Sequence, residues 1–397
     1  METAATLDTS VKLFGGTMMS PVADPYPVYR RLRQDQPAMP MRGLLGPTWL
    51  ITRYADVLAG LKDGKTYSAR GNARGIGLVM GRTILEMEGA EHLRHRKIVT
   101  PFFSLRALRE GVEAIVEEKV HALIDEFARD GSADLVSQFT FTFPLRVMAQ
   151  IIGIPIQDFA QFHRWALDLI SISDDPQRGF DAATRIVEYL KPIMAERRQE
   201  PRRDLLSALT HAEVDGERLS DEEILSFLRL LLPAGAETTY RLSGSAVFAL
   251  LTHPAVLEEV RADRSRVDAV IEETLRWESP VQYTSREVTR EIDFDGCVVP
   301  EGGLVMFAVG SANRDERRWE NPDAFVLGRR NLGDHLAFGF GEHYCAGSFL
   351  GRLEARLAIN ALLDRLPGLR LAPDEPARIV GLAFRSPDRL PVRFDPS

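Results

Sequence analysis

Only two of the 397 residues are cysteines, Cys297 and Cys345. That excludes a small scaffold stapled by disulfides, and without a secretory leader pattern a bridge between the two is not the expected state. Long apolar runs are also missing. A bilayer span needs about 20 mostly apolar residues. The longest helical-looking stretch without Asp, Glu, Lys or Arg, residues 242–257, is interrupted by Ser243, Gly244, Ser245, His253 and Pro254. The first residues include Glu2, Thr3 and Asp8, with no basic region leading into an apolar one, so a cytoplasmic protein without a membrane span is expected. Positive charge is not in excess either: 49 Lys and Arg against 57 Asp and Glu leave a formal charge of −8, which offers no footprint for nucleic acid. There is no internal repeat, no low-complexity linker and no Gly-x-Gly-x-x-Gly after a strand, which argues against a dinucleotide-binding domain.

What is present is an ordinary globular composition, 45% apolar and 27% charged, in a chain long enough for a sizeable core. Apolar residues recur at helical period over 105–129, 138–152, 183–198 and 222–251. Ser220-Asp221-Glu222-Glu223 is a capping box, in which the Ser oxygen and the Glu carboxylate satisfy free amides at a helix start. The helix it opens would run roughly 45–50 Å at 1.5 Å per residue, enough to cross a domain. Its interior, Leu232-Pro233-Ala234-Gly235-Ala236-Glu237-Thr238-Thr239, predicts a bulge or kink, because proline removes a donor and glycine lowers helix propensity. Strand patterns are sparse and late, at 281–289, 292–299, 304–309 and 378–394. The expected architecture is mainly α with small β-sheets, one domain over 21–397 after an N-terminal extension over 1–20.

The most informative stretch is Phe338-Gly339-Phe340-Gly341-Glu342-His343-Tyr344-Cys345-Ala346-Gly347, followed by a helical pattern over 348–363. The glycines allow a tight loop, and the start of the next helix faces the cysteine. Loop amides and the positive helix end favour negative charge, so the thiol is expected to ionise readily and to bind metal. A lone intracellular cysteine is more often a buried small hydrophobe. Here, six fixed residues at these spacings would arise by chance roughly once in a million chains of this composition. Zinc would need three or four ligands, and no second Cys or His stands at the right spacing. Cys297, in the turn Asp295-Gly296-Cys297-Val298, reads as structural.

Phe338, Gly339, Gly341, His343, Cys345 and Gly347 resemble the haem-binding loop of the cytochrome P450 family. The resemblance implies Cys345 as the axial metal ligand of haem b (iron protoporphyrin IX), held between a long distal helix and the proximal cysteine loop. Glu273-Thr274-Leu275-Arg276 is similar to the family's buried Glu-x-x-Arg pair, with a structural role. In many relatives a third partner follows in a Pro-x-Arg-Phe turn, but here Pro322-Asp323-Ala324-Phe325 carries Ala324 at the Arg position. Ala234-Gly235-Ala236-Glu237-Thr238 resembles the acid-alcohol motif of the distal helix. By that likeness Gly235 lets the helix open beside dioxygen, Thr238 holds a water and Glu237 connects the site to bulk protons. The alternative for an isolated pair is a Thr238 bonded back to a helix carbonyl and a Glu237 facing solvent. His92-Leu93-Arg94-His95-Arg96 carries the family's His-x-x-x-Arg spacing, so His92 and Arg96, with Arg286 and His343, are the expected partners of the haem propionates. Arg94 and His95 point elsewhere on the helix. The likeness runs from about residue 20 to residue 395.

The resemblance implies a haem-thiolate monooxygenase that inserts one atom of O2 into a hydrophobic small molecule. Electrons come from a separate ferredoxin or flavodoxin with its reductase, so NAD(P)H acts only indirectly, and the chain is expected as a monomer. Arg106, Arg109, Arg352 and Arg356 would present positive charge to the acidic carrier, although ordinary solvated helix faces explain them equally well. By family position the pocket walls are 71–85, 159–172, Leu231, Ala234, 281–283 and 381–384, with Arg70, Arg74, Gln282, Tyr283 and Arg385 as polar anchors. A peroxide-driven peroxygenase or haem isomerase, and a non-enzymatic haem-thiolate sensor, are the rival functions. The first kind commonly lacks the acid-alcohol pair, and the second has no need of a proton relay.

Overall fold

The computed structural model describes residues 9–43, 46–155, 159–214 and 216–396. Its axis is one helix, Asp221–Thr252, capped as its sequence demands: Ser220 Oγ accepts from the Glu223 amide at 3.3 Å while Glu223 Oε2 accepts from the Ser220 amide at 2.8 Å. Contrary to the expected bulge, the helix runs unbroken through Pro233 and Gly235. Packing on both sides outweighs the one lost donor: Gly235 lies so close to Met148 that a β-carbon there would sit 2.6 Å from its sulfur.

Two hydrophobic clusters share this long helix. Ile224 to Leu232 belong to a cluster with the helices Gly89–Val99, Thr142–Ile152 and Pro176–Gln199. Leu242 to Leu250 belong to a second, with Glu113–Asp125, Val267–Trp277 and most of the C-terminal helix Ser348–Arg365. Each fully buried Leu, such as Leu228 or Leu250, contributes about 1.5–3 kcal/mol. Pro233 to Thr239 lie at the seam between the two clusters, where the long helix crosses the C-terminal helix.

The main sheet holds β1 (Ala38–Gly43), β2 (Gly46–Ile51), β3 (Tyr67–Ser68), β4 (Tyr283–Val288) and β5 (Leu304–Ala308) in the order β1-β2-β5-β4-β3. β5 runs parallel to β2, pairing Leu304 with Thr48, and antiparallel to β4, pairing Val305 with Arg286. β4 and β5 match the sequence reading. The hairpin β1–β2 was not expected, because prolines and methionines mask it: Pro40 sits in the edge strand, and Pro47 precedes the stretch that β5 pairs. The 292–299 segment is a small hairpin, Ile292–Phe294 with Cys297–Val299, and the tail supplies Ile379–Val380, Ser386–Pro387 and Pro391–Arg393. The helical reading over 105–129 is interrupted near Gly111, and that over 138–152 begins as an α-helix only at Thr142.

Of the expected N-terminal extension, residues 1–8 lie outside the described residues. Met18 and Val22 accept backbone bonds from Ala383 and Gly381, so this end of the extension is stitched to the C-terminal segment. Among the described residues no helix is long and apolar enough to cross a membrane.

Candidate active site

The cysteine loop is closed by its own backbone. The Cys345 amide donates to the Phe338 carbonyl at 2.9 Å and the Tyr344 amide to the Gly341 carbonyl at 3.1 Å. Gly339 and Gly341 hold φ of 72° and 75°, and at Gly341 a β-carbon would meet the Leu61 carbonyl at 2.9 Å. Arg352, one turn into the C-terminal helix, lies over the Phe338 ring at 4.5 Å and is clamped by Glu272 at 2.5 and 3.0 Å. Burial pushes Glu272 upward, but hydrogen bonds from His335 and Arg352 outweigh it and hold the carboxyl down to about 2. The thiol does not behave as the sequence suggested. Cys345 is exposed, yet desolvation by the surrounding protein raises its thiol above the ordinary range, against the lowering effects of the Gly347 amide, Arg96 and Arg352. The Gly347 amide and the two guanidinium groups do not overcome desolvation.

Around this loop the structure gathers four cationic or imidazole groups from three segments. His92 and Arg96 lie on one face of Gly89–Val99. The His92 ring stands 4.4 Å from that of His343, and Arg96 donates to the Tyr344 carbonyl. Among the described residues, His92 Nε2 and His343 Nε2 are both buried without a hydrogen-bond partner, His343 lying 3.7 Å from Glu342 Oε1. Arg286 is buried on β4, and among the described residues its guanidinium bonds only within its own strand, to Thr284 Oγ1 at 3.1 Å and the Ser285 carbonyl at 2.7 Å. Burial, then Arg286, His92 and Arg96, bring His343 down to about 3, and burial likewise lowers His92, Arg96 and Arg286. Such a cluster calls for anionic oxygen acceptors.

On the long helix, Ala234 is exposed and Gly235 and Thr238 half-buried, although the residues around them are buried. Ala234 and Thr238, one turn apart, share the accessible face, while the side-chain direction of Gly235 is taken up by Met148. Thr238 Oγ1 donates to the Ala234 carbonyl at 2.7 Å, the back-bonded state. Glu237 does not face solvent: it is 1% exposed and meets Arg241, one turn on, at 3.4 Å. Arg241 reaches Ser386 Oγ at 3.2 Å and lines a cavity of about 120 Å³ with Met18 to Pro21, Val380, Gly381 and Phe384. The sequence reading did not single out Arg241, although an (i, i+4) spacing from Glu237 was there to find it.

The Glu-x-x-Arg pair is fully buried and bidentate, at 2.7 and 2.8 Å. Arg276 also donates to the carbonyls of Asn313, Pro322 and Ala324. The third partner that Ala324 cannot supply is Arg329, whose Nε donates to Glu273 Oε1 at 2.9 Å. Glu354, on the C-terminal helix, is unlike these. It is wholly buried, among the described residues both carboxyl oxygens lack a hydrogen-bond partner, and burial pushes it far up despite the nearby Thr239 hydroxyl.

The expected polar anchors are engaged by the protein itself. Arg385 is buried against Glu278 at 2.6 Å, Gln282 Nε2 donates to the Ser279 carbonyl, and Tyr283 meets Tyr29. Arg70 and Arg74 pair with Glu88 and Glu287. In the expected wall 159–172, the side chains of Phe159, Ala160 and His163 lie outside the described residues. Beyond the cysteine loop lies a cavity of about 390 Å³ whose lining includes Arg109, Arg352 and Arg356, but also Glu113, Asp268 and Glu272. Its charges balance, and Arg106 is paired with Glu110, so this face is not the positive patch that the arginines alone suggested.

Comparison with known proteins identifies the family. The family model described as Cytochrome P450 matches residues 156–367. Cytochrome P450 107B1 of Saccharopolyspora erythraea is 38% identical over 92% of this chain and 94% of its own length. The cytochrome P450 monooxygenase PikC of Streptomyces venezuelae is 37% identical over 94% of this chain and 91% of its own. The solved structure of P450BioI in complex with an acyl carrier protein ligated to hexadec-9Z-enoic acid superposes with a TM-score of 0.84 at 33% identity, covering 94% of this chain and 98% of that one. The family is one of oxidoreductases that use a haem iron and dioxygen, and this chain belongs to it: it is a cytochrome P450 of the bacterial monooxygenase type.

Proposed function

We propose that the segment 21–397 holds haem b between the long helix and the cysteine loop and oxidises a hydrophobic small molecule. Two electrons would reach it from a separate ferredoxin or flavodoxin and its NAD(P)H-dependent reductase. The observation that carries the reading is the group around Cys345: among the described residues, two buried imidazole nitrogens without a hydrogen bond, the buried guanidinium of Arg286 and the half-buried one of Arg96, which suit a ligand bearing two carboxylates. Cys345 Sγ would ligate the iron, with Phe338 and Gly339 shaping the loop beneath it. His92, Arg96, Arg286 and His343 would bind the propionates. Ala234 and Gly235 would leave the opposite wall flat. Once bound, the haem supplies the redox chemistry that activates dioxygen, with the thiolate pushing electron density toward it.

The chain's own residues manage water and protons. Thr238 spends its hydroxyl hydrogen on the Ala234 carbonyl, so its oxygen is free to accept a hydrogen bond from a water in the cleft. Glu237, buried beside Arg241, would take protons at the Arg241 side and release them toward that water by turning its carboxylate. Keeping both residues favours the monooxygenase over the peroxygenase, isomerase or sensor readings. P450BioI in its solved complex meets a fatty acyl chain, which fits a hydrophobic substrate here, free or carried.

The test is turnover under 18O2 with NADPH, a ferredoxin and its reductase, on a substrate chosen by a spin-shift screen. One 18O atom in the product, dependent on the electron chain, is the expected result. Label taken only from hydrogen peroxide would mark a peroxygenase. Haem binding without turnover of any spin-shifting compound would mark a sensor.

A further inference from the structure

The helix Gly89–Val99 presents two functional faces. One carries His92 and Arg96. The other carries His95, which is 0% exposed and reaches the first turn of the long helix. Its Nδ1 lies 2.9 Å from the Glu91 carbonyl of its own helix, and its Nε2 lies 2.9 Å from Glu223 Oε1. Glu223 is the acid of the capping box, and its other oxygen accepts from the Ser220 amide and hydroxyl at 2.8 and 2.7 Å. One turn along, Phe227 stacks on the His95 ring at 5.8 Å and 26°. A peptide carbonyl and an ionised carboxylate can only accept hydrogen bonds. Both contacts are therefore made only when both ring nitrogens carry protons.

We propose that His95, as an imidazolium, is a positioning residue that pins the helix bearing His92 and Arg96 to the start of the helix bearing Glu237 and Thr238, and that raising the pH releases the pin. The surrounding charges agree with this assignment. On its own helix, the Glu91 carboxylate is engaged by Arg82 at 2.7 and 2.5 Å, His92 faces the cysteine loop, and Arg94 stands 3.7 Å from Glu223. On the long helix, Asp221 is held by Arg198 and Glu222 by Arg229, which leaves Glu223 as the carboxylate directed at the ring. Burial opposes a charged Glu223, but the bonds from Ser220 and His95 outweigh it, so it stays ionised. A bare ring nitrogen would set one lone pair against an acceptor, and the stacked Phe227 also favours the cation. The pin stands on geometry alone; its link to the haem site rests on the function proposed above.

The experiment follows the side-chain 15N resonances of histidine-labelled protein from pH 5.5 to 9, with His95 assigned by its loss in His95→Leu. Two protonated nitrogens on His95 at pH 6.5 are expected, and a bare nitrogen at that pH overturns the proposal. In urea, His95→Leu should raise the unfolding equilibrium constant about tenfold at pH 6.5, with the gap closing by pH 9. A penalty that does not change with pH overturns the charged pin. Glu223→Gln keeps the cap and removes the charge, so it should show the same flattened profile even if His95→Leu does not fold. Haem transfer to apomyoglobin should be several-fold faster from His95→Leu holoprotein. An unchanged rate breaks the link to the cofactor, whereas wild-type protein that binds no haem refutes the functional reading and leaves the pin to the nitrogen resonances.

Discussion

Arg329→Met is the sharpest test of the buried charge network beneath the cysteine loop. The Arg329 side chain is 7% exposed, and it donates to Glu273 and to the carbonyls of Glu320, Asn321 and Ala324. Glu273 would keep Arg276 and the Val326 amide at 2.8 Å, so it would not be left bare. Losing one charge-assisted bond costs about 1.5–3 kcal/mol, and the three carbonyls near the surface can turn to water, so about 2–3 kcal/mol is expected. Glu273→Gln should cost more, about 3–5 kcal/mol, because it leaves two buried guanidinium groups without their anion. Lysine at 329 should recover less than half, since an ammonium lacks the planar fork. Urea unfolding followed by both circular dichroism and tryptophan fluorescence gives these values if the two transitions coincide. A cost under about 1 kcal/mol for Arg329→Met, the range of an exposed ion pair, would refute the assignment of Arg329 as the third partner.

The Glu272 carboxyl is held near 2 against an ordinary 4.5, so its ionised form favours the folded state. That contribution, about 2 kcal/mol, is complete above pH 4.5 and is lost as pH falls through 2; Glu272→Gln should flatten the acid limb of a stability–pH profile, and an unchanged limb would count against it. Glu354, wholly buried with only the Thr239 hydroxyl nearby among the described residues, should be replaceable: Glu354→Met is expected to raise the unfolding free energy by about 1–3 kcal/mol, and a loss of that size would mean the carboxyl has a partner it needs. Thr238→Ala should retain haem but divert electrons into hydrogen peroxide, measured as peroxide formed per NADPH consumed. Unchanged coupling would remove Thr238 from the proton path.

The long helix, its capping box, the cysteine loop and the two late strands of the sheet were legible because each depends on local rules: a cap, glycines at positive φ, an alternating run. The β1–β2 hairpin was not, since Pro40, Pro47 and the methionines hide a pairing that only β5 stabilises. The bulge expected near Pro233 is absent for the opposite reason, because tertiary packing, with Gly235 against Met148, overrode local propensity. Arg329 escaped notice because the fold brings its guanidinium to Glu273 from five residues beyond the turn where relatives place it. Glu354 was not singled out, because nothing in the 348–363 pattern distinguishes a carboxylate that the fold buries completely. Arg385 read as a substrate anchor, yet Glu278 already claims it. Isolated charges carry little information in sequence, because their meaning lies in which partners the fold brings within 3 Å.

The central claim is that Cys345 ligates a haem iron through its sulfur, and the absorption spectrum of the reduced protein under carbon monoxide tests it most directly. The account predicts the red-shifted Soret band of a thiolate ligand in the wild type and its loss in Cys345→His. A wild type that takes up no haem, or a Cys345→His variant with the same band, would contradict it.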